Sequence, residues 1–330
     1  MADRYCGVVV NVRPRLLITV AFVMGILLTG CSVGQDGSDP NENEVADWVP
    51  FDYAMTGLAA PEGALRRPVV AVKVDNTSAG QPQQGTAQAD LVVQEPVEGG
   101  LTRLLAFFES RRPDSVGPVR SIRTTDIPLV EPVRATVVAS GGSEPVIQAF
   151  ALAGVPLLTD PNDLFVRNPE RSAPYDLYAD LSQSISGPMP RKDYLQFGQN
   201  DLPVGKQVSG VTVSFSTASQ TKWNLTDSQE WQQDNLAPTF KADTLAILGV
   251  GLKEAGLLDA AGTPVPEVEV VGRGRGFLIV GDELHRIRWR KESPTSTYQF
   301  STDGGLVISV PPGRTWISLL PREGGKVSFS

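Results

Sequence analysis

The stretch Arg67-Pro68-Val69-Val70-Ala71-Val72-Lys73-Val74-Asp75-Asn76 decides how the chain is read. Residues 69–74 (VVAVKV) form a short apolar run bounded by a proline and by Asp-Asn, the pattern of a strand buried on both faces. Working outward, residues 91–94 (LVVQ), 101–109 (LTRLLAFFE) and 135–139 (ATVVA) read as three further strands. Helical patterns intervene at 121–130 and 144–153 (EPVIQAFALA). Strands alternating with helices over long connections predict a mixed α/β layered domain spanning 49–205. Residues 160–207 are loop-rich and hold Pro161, Pro169, Pro174, Pro188, Pro190 and Pro203, so the boundary is placed near their end. Beyond it, residues 211–215, 268–271, 277–280, 286–290 and 306–310 alternate apolar and polar side chains at period two. The second part, 206–330, is therefore expected to be mostly β, with one helix near 244–255. The fold class that follows is α+β.

Length and balance agree with this. A chain of 330 residues, 41% hydrophobic and 20% charged, can bury a substantial core. Its 32 glycines and 26 prolines follow no period, which favours turn-rich sheet over a collagen-like or wholly disordered chain. The formal charge is −8. Met1 to Gly30 hold three arginines and one aspartate, so the rest of the chain is two charges more acidic than the whole. An acidic domain of this kind is a poor partner for nucleic acid.

The N-terminus carries a targeting signal. Arg13 and Arg15 precede the uncharged run 16–28 (LLITVAFVMGILL), too short for an ordinary membrane span and suited to the apolar region of a signal peptide. Leu28-Thr29-Gly30-Cys31 follows at once and resembles the lipobox of bacterial lipoproteins, which implies cleavage before Cys31 and acylation of its thiol. Residues 1–30 are thus expected to be removed, and Cys31 to anchor the protein on the outer face of a membrane. Cys6 leaves with the signal peptide, so no free thiol is expected to serve a disulfide, a metal or a nucleophile. Residues 32–47 (SVGQDGSDPNENEVAD) are polar and acidic without apolar periodicity, so 31–48 are read as a tether. Acyl chains contributing about 0.8 kcal/mol per buried CH₂ make such an anchor sufficient.

A longer set of residues carries a family resemblance. It comprises Arg67 to Asn76, then Gln81-Pro82-Gln83-Gln84-Gly85 with Ala89-Asp90-Leu91-Val92, then Glu95-Pro96-Val97-Glu98-Gly99-Gly100-Leu101-Thr102-Arg103. Val116-Gly117-Pro118-Val119-Arg120-Ser121-Ile122-Arg123 and Gly141-Gly142-Ser143 complete it, with weaker echoes at 272–276 and 312–317. Together they resemble the YerB-like family of bacterial lipoproteins. The resemblance implies an extracytoplasmic lipoprotein with a two-part α+β fold, in a family without an established activity. There are departures. Ala173-Pro174-Tyr175-Asp176 stands where the family pattern has Ala-Pro-His-Asn, and Ser140 precedes the Gly-Gly-Ser run without a histidine. The one histidine of the chain, His285, falls in a strand pattern and is expected on its surface. Histidine-based triads and zinc sites are poor readings here, and no metal or other cofactor is expected.

The remaining polar constellation is Asp75, Asn76, Asp90, Glu95, Glu98, Arg103, Arg120 and Arg123. Asp75 and Asn76 end a buried strand, where layered folds expose ligand groups, although an Asx turn accounts for them equally. Glu95 and Glu98 flank a Pro-Val turn ending in Gly99-Gly100 and could face one concavity. Pro118 suits the first turn of a helix, which would place Arg120 and Arg123 on one face at its N-terminus. Two guanidiniums there would hold an external anion, or else pair internally with Glu95, Glu98 or Asp126. Gly272-Arg273-Gly274-Arg275-Gly276 lacks a following helix, so a β-turn or bulge explains it better than a nucleotide site. Trp223, Trp231, Trp289 and Trp316 are expected in the core of the second part, although aromatics there could instead form a platform for stacking sugars.

Two functional classes follow. One is a non-catalytic, lipid-anchored envelope protein that binds an anionic cell-wall component or an envelope protein. The other is an envelope enzyme acting on glycan or lipid-linked pyrophosphate, with paired carboxylates and an arginine anion site. Carboxyl groups about 5 to 9.5 Å apart in an open cleft would favour the enzyme. Glutamates each locked to an arginine in a dry interface would favour the binding protein.

Overall fold

The computed structural model describes residues 49–199, 202–234, 240–259 and 262–330. The expected signal peptide, Cys31 and the tether lie outside the described residues. No helix among the described residues is long and apolar enough to cross a membrane.

The first half contributes β1 (Val70–Asp75), β2 (Leu91–Pro96), β3 (Thr102–Phe108), β4 (Thr136–Ala139), β5 (Leu157–Thr159) and a small pair, β6 (Phe165–Arg167) and β7 (Leu177–Ala179). Its helices are α1 (Asp126–Val130) and α2 (Glu144–Ala153). The second half supplies β8 (Lys206–Gln207), β9 (Gly210–Ser214), β10 (Gln220–Leu225), β11 (Trp231–Gln233), β12 (Lys241–Ala242), β13 (Thr244–Leu258), β14 (Pro264–Glu269), β15 (Gly272–Val280), β16 (Glu283–Lys291), β17 (Gln299–Ser301), β18 (Val307–Ile308), β19 (Thr315–Pro321) and β20 (Lys326–Phe329).

Among the described residues, thirteen strands form one mixed sheet in the order β18-β17-β16-β15-β13-β19-β2-β3-β1-β4-β5, with β14 beside β13 and β8 beside β16. Strands from either side of residue 205 thus share it. β19, near the C-terminus, runs parallel to both β13 and β2 and joins the two halves. Every residue of β1, β2, β3 and β19 is buried, because both faces of the central sheet are covered, which is why these strands read as unbroken rather than alternating runs. One face packs under α1 and α2 through Ala71, Leu105, Leu129, Val146 and Phe150. The other faces a five-stranded antiparallel sheet, β12-β11-β10-β9-β20, across Trp223, Trp316 and Phe240. The Trp316 ring makes T-shaped contacts with both neighbours at 5.0 and 5.3 Å. All four tryptophans of the second half are core residues.

Three expectations are corrected. Residues 244–255 are not a helix but most of β13. An apolar run cannot distinguish a buried strand from a buried helix, and Gly249 and Gly251 penalise the helix. Residues 118–123 are not helical either. β4 stops pairing with β1 at Val72, and the open edge is taken by this segment, with Arg120 N–H donating to Lys73 O at 2.9 Å and Asp75 N–H to Pro118 O at 2.9 Å. The helix begins only at Asp126. Finally, residues 272–276 form neither a turn nor a bulge but the first half of β15, paired residue by residue with β16. Gly274 and Gly276 are required there: a Cβ at Gly274 would meet Trp289 Nε1 at 2.5 Å, and one at Gly276 would meet Ile247 O at 2.3 Å.

Candidate functional site

At the end of β1 the inward row of side chains changes character. Val69 and Ala71 join the core under the helices, and the next two residues on that face are Lys73 and Asp75. The register continues the change across the sheet, with Asp75 opposite Arg103 on β3 and Glu95 on β2 opposite the same arginine. A row of charge is thereby built into a sheet interior.

Lys73 and Asp126 are fully buried and Glu95 nearly so. The Lys73 ammonium pairs with a Glu95 carboxylate oxygen and donates to Asp126 Oδ1 at 2.7 Å. The second Glu95 oxygen meets no hydrogen-bond donor. Burial pulls the Lys73 ammonium down to about 8, against the opposing pull of Asp126. Asp126 also accepts the backbone N–H of Arg123 at 2.7 Å, which ties the start of α1 to the segment before it.

Glu98 is the second hub. Its carboxylate receives Arg103 Nη2 at 3.0 Å, Arg123 Nε at 3.1 Å and the Arg123 Nη2 group. Burial pushes the Glu98 carboxyl up, and the two arginines more than offset it, leaving it below the usual carboxylate value. Burial and the neighbouring Arg123 lower Arg103 to about 10. Arg103 and Arg123 also donate to the carbonyls of Ser121 and Ile122 respectively, at 2.9 Å each. Arg120 reaches Asp75 Oδ2 at 2.6 Å and lies 5.5 Å from the ring of Tyr175. Asp75 also accepts Thr77 N–H at 2.7 Å, so the Asx turn and the salt bridge coexist. Asn76 donates to Thr102 Oγ1 at 2.8 Å.

The structure thus brings together seven of the eight sequence candidates and leaves one out. Asp90 precedes β2 while Glu95 lies near its other end, and Asp90 instead accepts the backbone N–H groups of Glu109 and Ser110 at 2.6 and 2.8 Å. The helix-terminus geometry expected for Arg120 and Arg123 is absent, since neither lies on a helix. His285 is buried rather than on the strand surface, with Nε2 3.5 Å from Glu283 Oε2. Sequence reasoning missed Lys73, although a lysine inside an otherwise apolar strand was its signal. Four cations, Lys73, Arg103, Arg120 and Arg123, face four carboxylates, Asp75, Glu95, Glu98 and Asp126. The cluster is balanced, and its geometry suits holding elements together more than binding an outside charge. Among the described residues no group of three or more His, Cys, Asp or Glu side chains is placed to hold a metal ion.

Comparison with known proteins agrees with the resemblance. Residues 55–194 match the model described as "Protein of unknown function (DUF3048) N-terminal domain", and residues 204–317 match the corresponding C-terminal domain. A Bacillus subtilis (strain 168) protein named "Putative lipoprotein YerB" is 25% identical over 293 residues, covering 81% of this chain and 85% of that protein. The crystal structure of YerB protein from Bacillus subtilis superposes with a TM-score of 0.69 at 20% identity, covering 84% of this chain and 99% of that one.

Proposed function

Taking as premise that this chain belongs to the DUF3048 family, we propose that it is a lipid-anchored, non-catalytic binding protein of the cell envelope. In this reading Cys31 carries the lipid, residues 31–48 are the tether, and the folded part stands on the extracytoplasmic face of the membrane. The name of the Bacillus subtilis relative supports the anchor. The lipobox-like Leu28-Thr29-Gly30-Cys31 supports it independently.

One observation carries the non-catalytic half of the proposal: Glu98 is gripped by Arg103 and Arg123 at once, and Glu95 faces a buried lysine rather than a cleft. A general acid or base must reach a proton on substrate, and a nucleophilic carboxylate must reach an electrophile. Neither glutamate is free to do so without breaking charge pairs inside the protein. The cluster then acts as a latch that fixes residues 118–126 and α1 onto the sheet end.

Two measurements test the proposal. Mass spectrometry of the membrane fraction is expected to find diacylglycerol on Cys31, and Cys31→Ala to release the chain from membranes. Incubation with cell-wall glycan and with lipid-linked pyrophosphate is expected to give no turnover. Turnover that disappears in Glu98→Gln would overturn the non-catalytic reading.

A further inference from the structure

β15 and β16 pair in register Arg273↔Arg290 and Arg275↔Arg288, and the next pair on the same face is Phe277↔Arg286. Directly opposed residues on neighbouring strands point to one side, and so do alternate residues along a strand. Five arginines therefore stand on a single face of one hairpin, all exposed. Like charges directly opposite across a ladder destabilise it unless something neutralises them.

The protein supplies only part of that neutralisation. Arg288 Nε lies 3.0 Å from Asp303, and Arg290 Nη2 2.7 Å from Glu292. The side chains of Arg273, Arg275 and Arg286 make no ion pair or hydrogen bond among the described residues. A sixth arginine, Arg322, borders the same face 3.7 Å from Glu269. The arginines line two contiguous recesses of about 610 and 590 Å³ that share Gly274 and Arg275. This trough lies on a chain whose net charge is −8, so it is a local positive field on an acidic protein.

We infer that this trough binds a linear phosphodiester polymer without bases, of the polyol-phosphate kind. Guanidinium forks match phosphate oxygens two at a time. Alternate arginines along a strand are about 6.7 Å apart, which sets a regular row of cations for a chain of repeating anions. A concave trough admits a flexible chain better than it admits the plane of a bilayer. Single-stranded nucleic acid needs aromatic faces for stacking, and the aromatics bordering these recesses are buried or already engaged: Trp289 and Phe300 are each 2% exposed, Trp289 with Nε1 on Gly249 O, and Phe277 packs against Phe329. The inference supplies a ligand class for the binding reading above. It is tested on the mature chain carrying Cys31→Ser, so failure of anchoring and failure of binding are scored apart.

The experiment is titration with poly(glycerol phosphate), single-stranded DNA of equal charge, and phosphatidylglycerol vesicles. Poly(glycerol phosphate) is expected to bind tightest, losing roughly 20- to 50-fold in affinity between 50 and 200 mM salt for three or four neutralised phosphates. Arg273→Glu/Arg275→Glu is expected to weaken it at least tenfold. The equal charge change Lys222→Glu/Lys326→Glu, on the five-stranded sheet, is expected to weaken it less than threefold. Should the first variant unfold, Arg273→Gln/Arg275→Gln replaces it, with a loss of at least fivefold. Equal losses in the trough and control variants, no binding at 50 mM salt, or tighter binding to DNA or vesicles would overturn the assignment.

Discussion

The molecule carries two groups of arginines, and they differ in what faces them. Arg103, Arg120 and Arg123 sit at the end of β1 and β3, mostly buried, each within 3.0 Å of a carboxylate. Arg273, Arg275, Arg286, Arg288 and Arg290 stand exposed on β15 and β16, and only two of them meet an acid. The buried group is the more conspicuous in the sequence because it lies among family-like motifs, yet it is spent internally. The exposed group hides in a glycine-rich string with the spacing of a turn. Residue type alone does not mark a binding site; what does is a charge that the fold leaves uncompensated.

The largest effect that would break this contrast is at Lys73. Removing one member of a buried ion group leaves its partners charged and unpaired, which costs about 3–5 kcal/mol. Lys73→Met is therefore expected to lower unfolding free energy by about that amount in a denaturant titration. Replacing the whole group, Lys73→Met with Glu95→Met and Asp126→Asn, is expected to recover most of it, since apolar substitutes for a complete buried ion pair are often neutral or better. If Lys73→Met alone were silent, the cluster would not be a latch.

A further test compares two buried carboxylates, Glu98 and Glu109. Glu98 has two arginines and is held below its ordinary value. Glu109 accepts only backbone N–H groups in direct contact, including Met55 at 3.0 Å, and burial pushes it up to about 7. A carboxyl raised in the folded state contributes stability that is complete below the unfolded value near 4.5 and is lost as pH rises through 7. Wild-type stability is expected to carry a loss of roughly 3 kcal/mol from this group between those limits. Glu109→Gln removes that slope in pH-dependent denaturation, whereas Glu98→Gln destabilises at neutral pH.

How much of this is legible depends on what each residue reports. β1, β2, β3 and β4 announce themselves because strands buried on both faces are short apolar runs, and α2 because Pro145 starts it and Gly154, at φ 67°, ends it. β13 misleads for the same reason that β1 is plain: TLAILGVGL is an almost wholly apolar run, and its neighbours β14, β15 and β19 make it a strand. Proximity of motifs correctly groups Arg120 and Arg123 with Glu98 and Asp75. Their helix is wrong, because the segment's hydrogen bonds go to an edge of β1 that local sequence cannot show. The alternation Gly-Arg-Gly-Arg-Gly holds the period-two signal of a strand, inward glycines and outward arginines, but glycine spacing resembles a turn until Trp289 is known to press on Gly274.

The smallest effect sharpens the contrast most, because its sign differs from that of every change in the buried cluster. Arg273 and Arg275 oppose Arg290 and Arg288, and none of the first pair's charge is compensated within the described residues. Exposed charge changes are usually worth within about 0.5 kcal/mol, and relief of cross-strand repulsion is of the same order. Arg273→Gln/Arg275→Gln is therefore expected to raise the melting temperature slightly at low salt, by a degree or two, with the gain vanishing at 1 M salt, where screening acts within about 3 Å. In the balanced cluster the analogous Arg123→Gln leaves the buried Glu98 with Arg103 as its one remaining arginine and lowers the melting temperature. A destabilised trough variant would mean that its arginines, like those at the β1 end, are holding the protein together.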